Sequence, residues 1–186
     1  MPELPDVEIF RKEAEKCRNS TIEDFQIADT RFVGIRNDEF QKKLKGQSLK
    51  KTIRRGKTLF LPGDKGATVV MHFGMTGELK CLKADAEIPD YTKCSLCFKN
   101  NQKLHYLSKR KLGYIELTDD MEEFIEEKEL GPDALQLSEK EFISRLKQKR
   151  GMVKSALTDQ EVFSGIGNIY SDEILFQTGI HPKEKI

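Results

Sequence analysis

The sequence predicts an α+β protein in which one N-terminal helix precedes a β-sandwich or barrel and further helices follow. Three observations support this prediction. A helical pattern covers about residues 5–17, short β-like runs separated by turn signals continue from about 22 to 118, and the helical pattern returns after about 138. We therefore divide the chain into an N-terminal β-sandwich domain, residues 1–120, and a helical domain, residues 121–186.

The first helix is indicated by the residues at its start. Pro5 suits a first turn, where its missing N–H costs no hydrogen bond, and Asp6 and Glu8 complement the positive end of the helix dipole. Two hairpins follow. The first has strands at 57–61 and 67–73 around a Gly-Asp-Lys-Gly turn, and the second has strands at 92–98 and 103–107.

Three helices are predicted in the second domain. Ser-Glu-Lys-Glu at 138–141 is typical of a helix start, because serine caps the first turn and the later glutamate returns the hydrogen bond. Helical patterns also cover residues 152–159 and about 168–177. The domain boundary should lie near 119–137, a range that begins with the strongly acidic residues 119–129.

The composition excludes several classes of protein. No apolar run approaches the roughly 18–20 residues that span a bilayer, and residues 1–10 lack the layout of a signal peptide. Four cysteines in 186 residues are too few and too scattered for a disulfide scaffold. We therefore expect an intracellular, cytoplasmic protein without a membrane partner.

The charge is segregated along the chain. The net charge is +1, but residues 119–129 carry −6, which leaves about +7 on the remainder. Such segregation fits a positive groove for a phosphate backbone, and solvated surface is an equally open alternative. The basic residues form three clusters: Lys42, Lys43, Lys45, Lys50, Lys51, Arg54, Arg55 and Lys57; Lys103, Lys109, Arg110 and Lys111; Arg145, Lys147, Lys149, Arg150 and Lys154.

Cys94 and Cys97 resemble half of a zinc site, but residues three apart in a strand point to opposite faces. Cys94, Leu96 and Phe98 share one face, which favours a core role over metal binding. No second cysteine or histidine pair completes a ligand set, so we expect no metal. His72, His105 and His181 lack a neighbouring nucleophile pattern and are interpreted as structural.

Two segments carry more specific chemistry. Gly-Ile-Gly-Asn-Ile-Tyr at 165–170 places glycines before a helix, whose free N–H groups suit a phosphate; a packing turn between helices remains the alternative.

Pro2 follows the initiator methionine, and removal of Met1 would free a secondary amine. Such an amine is less protonated than lysine at neutral pH and can condense with a sugar carbonyl. Glu3 is a neighbouring proton carrier.

Taken together, motifs from Pro2 to Pro182 resemble the formamidopyrimidine-DNA glycosylase / endonuclease VIII family of base-excision repair enzymes. The matching segments are Pro-Glu-Leu-Pro-Asp-Val-Glu at 2–8, Arg-Arg-Gly-Lys at 54–57, Met-His-Phe-Gly-Met-Thr-Gly-Glu-Leu at 71–79, Leu-Gly-Pro-Asp-Ala-Leu at 130–135, residues 165–176 and Gly-Ile-His-Pro at 179–182. The resemblance implies an N-terminal β-sandwich, a helix-two-turns-helix domain and damaged double-stranded DNA between them.

The resemblance also implies a reaction and roles for individual residues. A damaged nucleotide is flipped out, Pro2 attacks the sugar C1′ to form a Schiff base, and β- and δ-elimination cut the strand. Glu3 would shuttle protons and Lys57 would neutralise a phosphate near the lesion. The implied DNA-binding residues are Met75 and Arg110, which fill the gap left by the flipped base, and Lys154 and Asn168, which lie at phosphates.

The family pattern usually continues with a capping loop and a four-cysteine zinc finger, which do not follow Ile186 here. We therefore expect a truncated member without a cofactor, monomeric and nucleoid-associated. Leu112 also stands where one branch of the family has a phenylalanine wedge.

The alternatives to an enzyme are a non-catalytic DNA-binding module derived from the family, or a fragment that needs a C-terminal part in trans. A retained Met1 would favour binding alone, because the Pro2 nitrogen would then be an amide.

Overall fold

The computed structural model describes residues 1–29 and 37–186; residues 30–36, which fall in the predicted β-rich region, lie outside the described residues. Six helices and eight strands make up these ranges. In chain order they are α1 (Leu4–Glu15), β1 (Ile22–Ile27), α2 (Asn37–Leu44), β2 (Ile53–Arg55), β3 (Thr58–Pro62), β4 (Thr68–His72), β5 (Gly77–Lys83), β6 (Thr92–Phe98), β7 (Gln102–Ser108), β8 (Tyr114–Thr118), α3 (Met121–Glu127), α4 (Glu139–Lys147), α5 (Val153–Thr158) and α6 (Asn168–Thr178).

The strands form two antiparallel four-stranded sheets, which confirms the predicted β-sandwich. One sheet has the order β1-β6-β7-β5 and the other β2-β3-β4-β8. Both predicted hairpins are present, since β3 pairs with β4 and β6 pairs with β7. The core lies between the sheets and contains Cys94, Leu96 and Phe98, which confirms the core interpretation of that strand face.

Helix α1 packs against the sandwich along one face. Its buried residues are Leu4, Val7, Phe10 and Ala14, at the spacing of a single helical stripe. The Phe10 ring lies 4.5 Å from the Phe73 ring, centroid to centroid. Because α1 begins at Leu4, this packing fixes the position of the two residues before it.

The helical region contains the three predicted helices and has its own small core. Val153, Leu157, Val162, Phe163, Ile166 and Leu175 are buried there, and Phe142 stacks on Phe163 at 4.5 Å. Ser138 caps α4 through the predicted reciprocal bonds with Glu141. Among the residues described, no helix is long and apolar enough to cross a membrane.

Two helices, α2 and α3, were not predicted. Helix α3 occupies the acidic stretch, where Asp120 accepts hydrogen bonds from the backbone N–H groups of Glu122 and Glu123. Its Phe124 is buried against Phe60 and Val70, on the face of the second sheet that points away from the main core. The acidic stretch is therefore a docked helix with a charged outer face, while the division at residue 120 stays a prediction.

Candidate active site

The carboxylate of Glu3 is the best-defined polar group between the two regions of the chain. It is 1% exposed and accepts three backbone hydrogen bonds, from Gly167 (2.9 Å), Ile169 (2.8 Å) and Tyr170 (3.1 Å). Since these N–H groups surround the start of α6, the carboxylate also lies at the positive end of that helix. The turn before α6 therefore holds a carboxylate of the same chain at these three N–H groups, where the sequence had left phosphate binding open.

This contact depends on the small residue that precedes α6. A Cβ built on Gly167 would lie 2.4 Å from Cδ of Glu3, so a larger residue would displace the carboxylate. The neighbouring segment adds a backbone bond, in which the Leu4 N–H donates to the Gly165 carbonyl at 3.2 Å. The first residues of the chain are thus held by the helical region as well as by α1.

A buried ion pair fixes the two regions against each other. Arg54 donates to the carboxylate of Asp133 through both terminal nitrogens, and the backbone N–H of Gly56 donates to the same carboxylate at 2.8 Å. The side chain of Arg54 is 9% exposed and that of Asp133 is 0% exposed. Arg55 donates to the Gly131 carbonyl at 2.9 Å. Arg54 was counted in the basic groove, and that interpretation is wrong because its charge is buried between the regions.

Lys57 lies next to this joint, directly before β3. Burial lowers the pKa of its ammonium group, while the negative charge of Glu3 opposes that shift. Within the described part of the chain, no residue forms an ion pair or a hydrogen bond with the ammonium group. Lys57 also contributes to the lowered pKa of His72, whose main cause is burial. The result is a partly buried cation near the Glu3 carboxylate that has no ion-pair partner among the described residues.

His72 has a structural environment. Its ring stacks on Tyr114 at 5.2 Å, and Nδ1 accepts a hydrogen bond from the Gly74 N–H at 3.3 Å. Its carbonyl accepts from the Tyr106 hydroxyl at 2.8 Å. These contacts hold the strand end that leads into the loop bearing Met75.

An open cleft lies beside the chain start and is lined by Met1, Pro2, Asp6, Phe10, Met75, Thr76, Gly77, Glu78 and Ile169. Met75 is exposed, and its neighbour Thr76 accepts a hydrogen bond from the Arg110 backbone N–H at 2.9 Å. Leu112, on the same loop as Arg110, is 52% exposed. The Pro2 nitrogen is here bonded to Met1, so it is an amide until that residue is removed.

The last two predicted DNA-binding residues lie on the helical region. Asn168 is the first residue of α6 and is exposed, and its side-chain amide has no hydrogen bond to the described residues. Lys154 on α5 forms an ion pair with Asp172 on α6 at 2.6 Å. A phosphate at Lys154 would therefore compete with a carboxylate already in place.

The sequence matches two protein-family models that together cover most of the chain. The formamidopyrimidine-DNA glycosylase N-terminal domain matches residues 1–115, and the formamidopyrimidine-DNA glycosylase H2TH domain matches residues 130–185. The chain belongs to the formamidopyrimidine-DNA glycosylase family. The resemblance inferred from the motifs is confirmed, and so are the β-sandwich and the helix-two-turns-helix region that it implied.

Individual members of the family agree with this assignment. The formamidopyrimidine-DNA glycosylase of Ligilactobacillus salivarius is 32% identical over 98% of this chain and 68% of its own length. That of Marinobacter nauticus is 33% identical over 100% of this chain and 69% of its own length. The Lactococcus lactis enzyme bound to DNA with an abasic site superposes with a TM-score of 0.89 at 30% identity, covering 99% of this chain and 70% of that one.

The structure brings most of the predicted site residues to one region of the molecule. Pro2 and Met75 line the same cleft, and Glu3 is bonded to the turn that precedes Asn168. Lys57 is close enough to Glu3 for the carboxylate charge to raise the pKa of its ammonium group.

Sequence reasoning missed the Arg54–Asp133 pair. The Leu-Gly-Pro-Asp-Ala-Leu motif contains Asp133, which is fully buried, but nothing in the sequence indicates that Arg54 is its partner.

Proposed function

We propose that this chain is a base-excision repair DNA glycosylase and abasic-site lyase that acts on oxidised bases through a Schiff base on Pro2. The observation that carries the proposal is the placement of Pro2. It lies directly before a buried carboxylate that is fixed to α6, and it opens onto a cleft flanked by exposed Met75. Membership of the family supports the same activity. Because the substrate is DNA, we place the protein inside the cell, at the nucleoid.

The proposed reaction begins with a damaged nucleotide turned out of the duplex, since its sugar is unreachable while the base is stacked. The free Pro2 nitrogen attacks C1′ and loses its proton, and the C1′–N bond to the base breaks. The C1′–O4′ bond then opens as the ring oxygen takes up a proton, which leaves C1′ double-bonded to the Pro2 nitrogen. The iminium that results acidifies the C2′ proton, and successive elimination of the 3′ and 5′ phosphates cuts the strand. The family relatives include a structure of MutM with carbocyclic 8-oxo-G DNA and a Lactococcus lactis mutant with Fapy-dG DNA.

Glu3 is proposed as the proton carrier. Three N–H donors hold its carboxylate in one orientation, so it is positioned without any movement of a flexible side chain. Lys57 is proposed to neutralise a phosphate next to the lesion. An unpaired cation in a partly buried site interacts more strongly with an anion than an exposed lysine does. The reaction as proposed needs no cofactor.

The proposed duplex contacts extend this site on both sides. Met75 and Arg110, on adjoining loops, are proposed to occupy the space left by the flipped base. Asn168 is proposed to donate its free amide to a backbone phosphate, and Lys154 to exchange Asp172 for a second phosphate. We propose that a single copy of the chain binds the duplex.

Borohydride trapping tests the nucleophile. Processed protein, with removal of Met1 verified by mass spectrometry, should become covalently linked to DNA that contains an abasic site when the iminium is reduced. The matched control is the same chain with a residue kept before Pro2, which makes that nitrogen an amide and leaves the rest of the sequence unchanged. Pro2→Gly should also lose most of the product.

The outcomes separate the two classes of function. Trapping by processed protein, and none by the blocked form, supports the enzyme. Duplex binding without trapping by the processed form would instead support the non-catalytic DNA-binding module.

A further inference from the structure

Two of the four cysteines lie close together at the C-terminal end of α1, away from the candidate site. Cys17 follows the C-terminal end of α1 and is fully buried, while Cys81 lies in β5 and is partly exposed. Their sulfur atoms are 3.2 Å apart, although the residues are 64 positions apart in the chain. Because the sulfurs of a disulfide are about 2.0 Å apart, a small side-chain movement would join them.

The two thiols have different chemical environments. The hydrogen bond with Cys17 lowers the pKa of Cys81, and the charge of Lys16 acts in the same direction. Burial and the carboxylate of Glu13 oppose that shift. The pKa of Cys17 is raised, chiefly by the same hydrogen bond and by burial. Cys81 is therefore the thiol that ionises first and the one that an oxidant can reach, with Cys17 as its buried partner.

The remaining cysteines lack this arrangement. Cys94 and Cys97 are both buried in β6, and burial raises the pKa of each thiol. Within the described residues, neither forms a sulfur–sulfur contact like that of Cys17 and Cys81. They provide an internal comparison in the same protein.

We propose that Cys17 and Cys81 form a reversible oxidation site that closes to a disulfide on contact with a peroxide. The Cys81 thiolate attacks one peroxide oxygen, the O–O bond breaks, and hydroxide leaves with a sulfenic acid formed on Cys81. The Cys17 sulfur then attacks the Cys81 sulfur, the S–O bond breaks, and the proton of Cys17 leaves with that oxygen as water. The proton that Cys81 released on ionising joins the hydroxide, so two thiols are oxidised by two electrons while hydrogen peroxide is reduced to two waters.

The bond would join the end of α1 to β5, which flank the candidate site at their other ends. Helix α1 begins directly after Glu3, and β5 begins two residues after Met75. A link across this long loop restricts the unfolded chain and so stabilises the folded one. The consequence for repair rests on the proposed function: the enzyme would be stabilised by the class of oxidant that damages bases.

The test is peroxide treatment of the full chain, followed by non-reducing digestion and mass spectrometry. We expect one linked peptide that contains Cys17 and Cys81, two free thiols remaining of four, and complete reversal by dithiothreitol. The thermal midpoint of the oxidised form should rise by about 5–10 °C. None of these readouts involves DNA, so they are independent of the outcome of the trapping experiment.

Two variants serve as controls. Cys81→Ser should prevent the link and the rise in midpoint, and it changes a partly exposed residue, so the fold should be retained. Cys97→Ser should leave both unchanged. Sulfinic acid on Cys81 without a link, a link that involves Cys94 or Cys97, or no reaction within the time in which an exposed peptide thiol is fully oxidised would each overturn the proposal.

Discussion

At the scale of single residues, the candidate site is governed by how its charges are compensated. The Glu3 carboxylate accepts hydrogen bonds from three backbone N–H groups, and each of these donors needs an acceptor there. An amide in its place would turn an N–H group toward one of these donors, so glutamine is not equivalent there. Lys57 is the opposite case, because burial disfavours its charge and no described residue pairs with it.

Lys57→Met should therefore stabilise the protein while it slows base release. Removing a partly buried, unpaired ammonium group relieves a desolvation cost, so the thermal midpoint should rise by about 1–3 °C at neutral pH. Single-turnover base release should fall at least tenfold, because a phosphate near the lesion loses its counter-charge. Thermal unfolding and quenched-flow assays measure the two effects.

The same desolvation cost predicts how the stabilities of the wild type and of Lys57→Met change with pH. The pKa of Lys57 is lowered in the folded state, so the unfolded chain holds this proton more tightly. Wild-type stability thus gains relative to Lys57→Met as the pH rises through the range in which folded Lys57 loses its proton. The difference in stability between the two proteins should therefore disappear at alkaline pH. Lys12→Met, on the exposed face of α1, should show no such change, and a gap that widened with pH would contradict the assignment.

At the scale of elements, α6 is the helix on which the site is assembled. Its N-terminal end receives Glu3, and its C-terminal end stops at Gly179, which has a φ of +68°. The two glycines differ in their surroundings: a Cβ on Gly167 would meet Glu3, whereas a Cβ on Gly179 would meet nothing within 4 Å. Gly167 is therefore needed because a side chain there would collide with Glu3, and Gly179 is needed because its backbone is left-handed.

Gly167→Ala should separate positioning from stability. The Cβ must displace the Glu3 carboxylate, which should cost about 1–3 kcal/mol of unfolding free energy and lower base release by about 10- to 100-fold. Gly179→Ala should cost about 1 kcal/mol through backbone strain and leave the rate unchanged. Denaturant unfolding and single-turnover kinetics provide the comparison. Equal rates in the two variants would show that the Glu3 contact does not position the site.

The sequence predicts elements whose signals are local. The cap at Ser138 and the hairpin turn at 63–66 each reside in four consecutive residues, and both are observed. Helix α3 had such a signal too, in Asp120 and the buried Phe124, but the surrounding acidic charge obscured it. The burial of Arg54 had none, because its partner Asp133 lies 79 residues away. Contacts chosen by tertiary packing cannot be deduced from spacing along the chain.

At the scale of the whole molecule, the joint between the two regions decides which basic residues face outward. Asp133 is fully buried and pairs with Arg54, so losing Arg54 would leave the Asp133 carboxylate as an uncompensated charge in the interior. Other cations are engaged at the surface: Lys43 with Asp119 at 2.8 Å and Lys149 with Asp159 at 3.0 Å. The positive face proposed for DNA is therefore smaller than the three basic clusters of the sequence imply.

The salt dependence of DNA binding measures that face directly. Each phosphate contact contributes about −0.9 to the slope of log K against log salt concentration on B-form DNA. Arg110 is exposed beside the cleft, so Arg110→Gln should reduce the magnitude of the slope by about 0.9 on a duplex with an abasic-site analogue.

The matched control is Lys65→Gln. Lys65 is equally exposed, but it lies in the turn at the far end of the β3–β4 hairpin from Lys57, so its removal should leave the slope unchanged. Titrations at four or more salt concentrations distinguish the two variants. If both lowered the slope alike, binding would depend on the net charge of the molecule rather than on a face at the cleft. The proposed orientation of the duplex would then be lost, because it requires cations near Pro2 to contact phosphates that those at the opposite end of the sandwich do not reach.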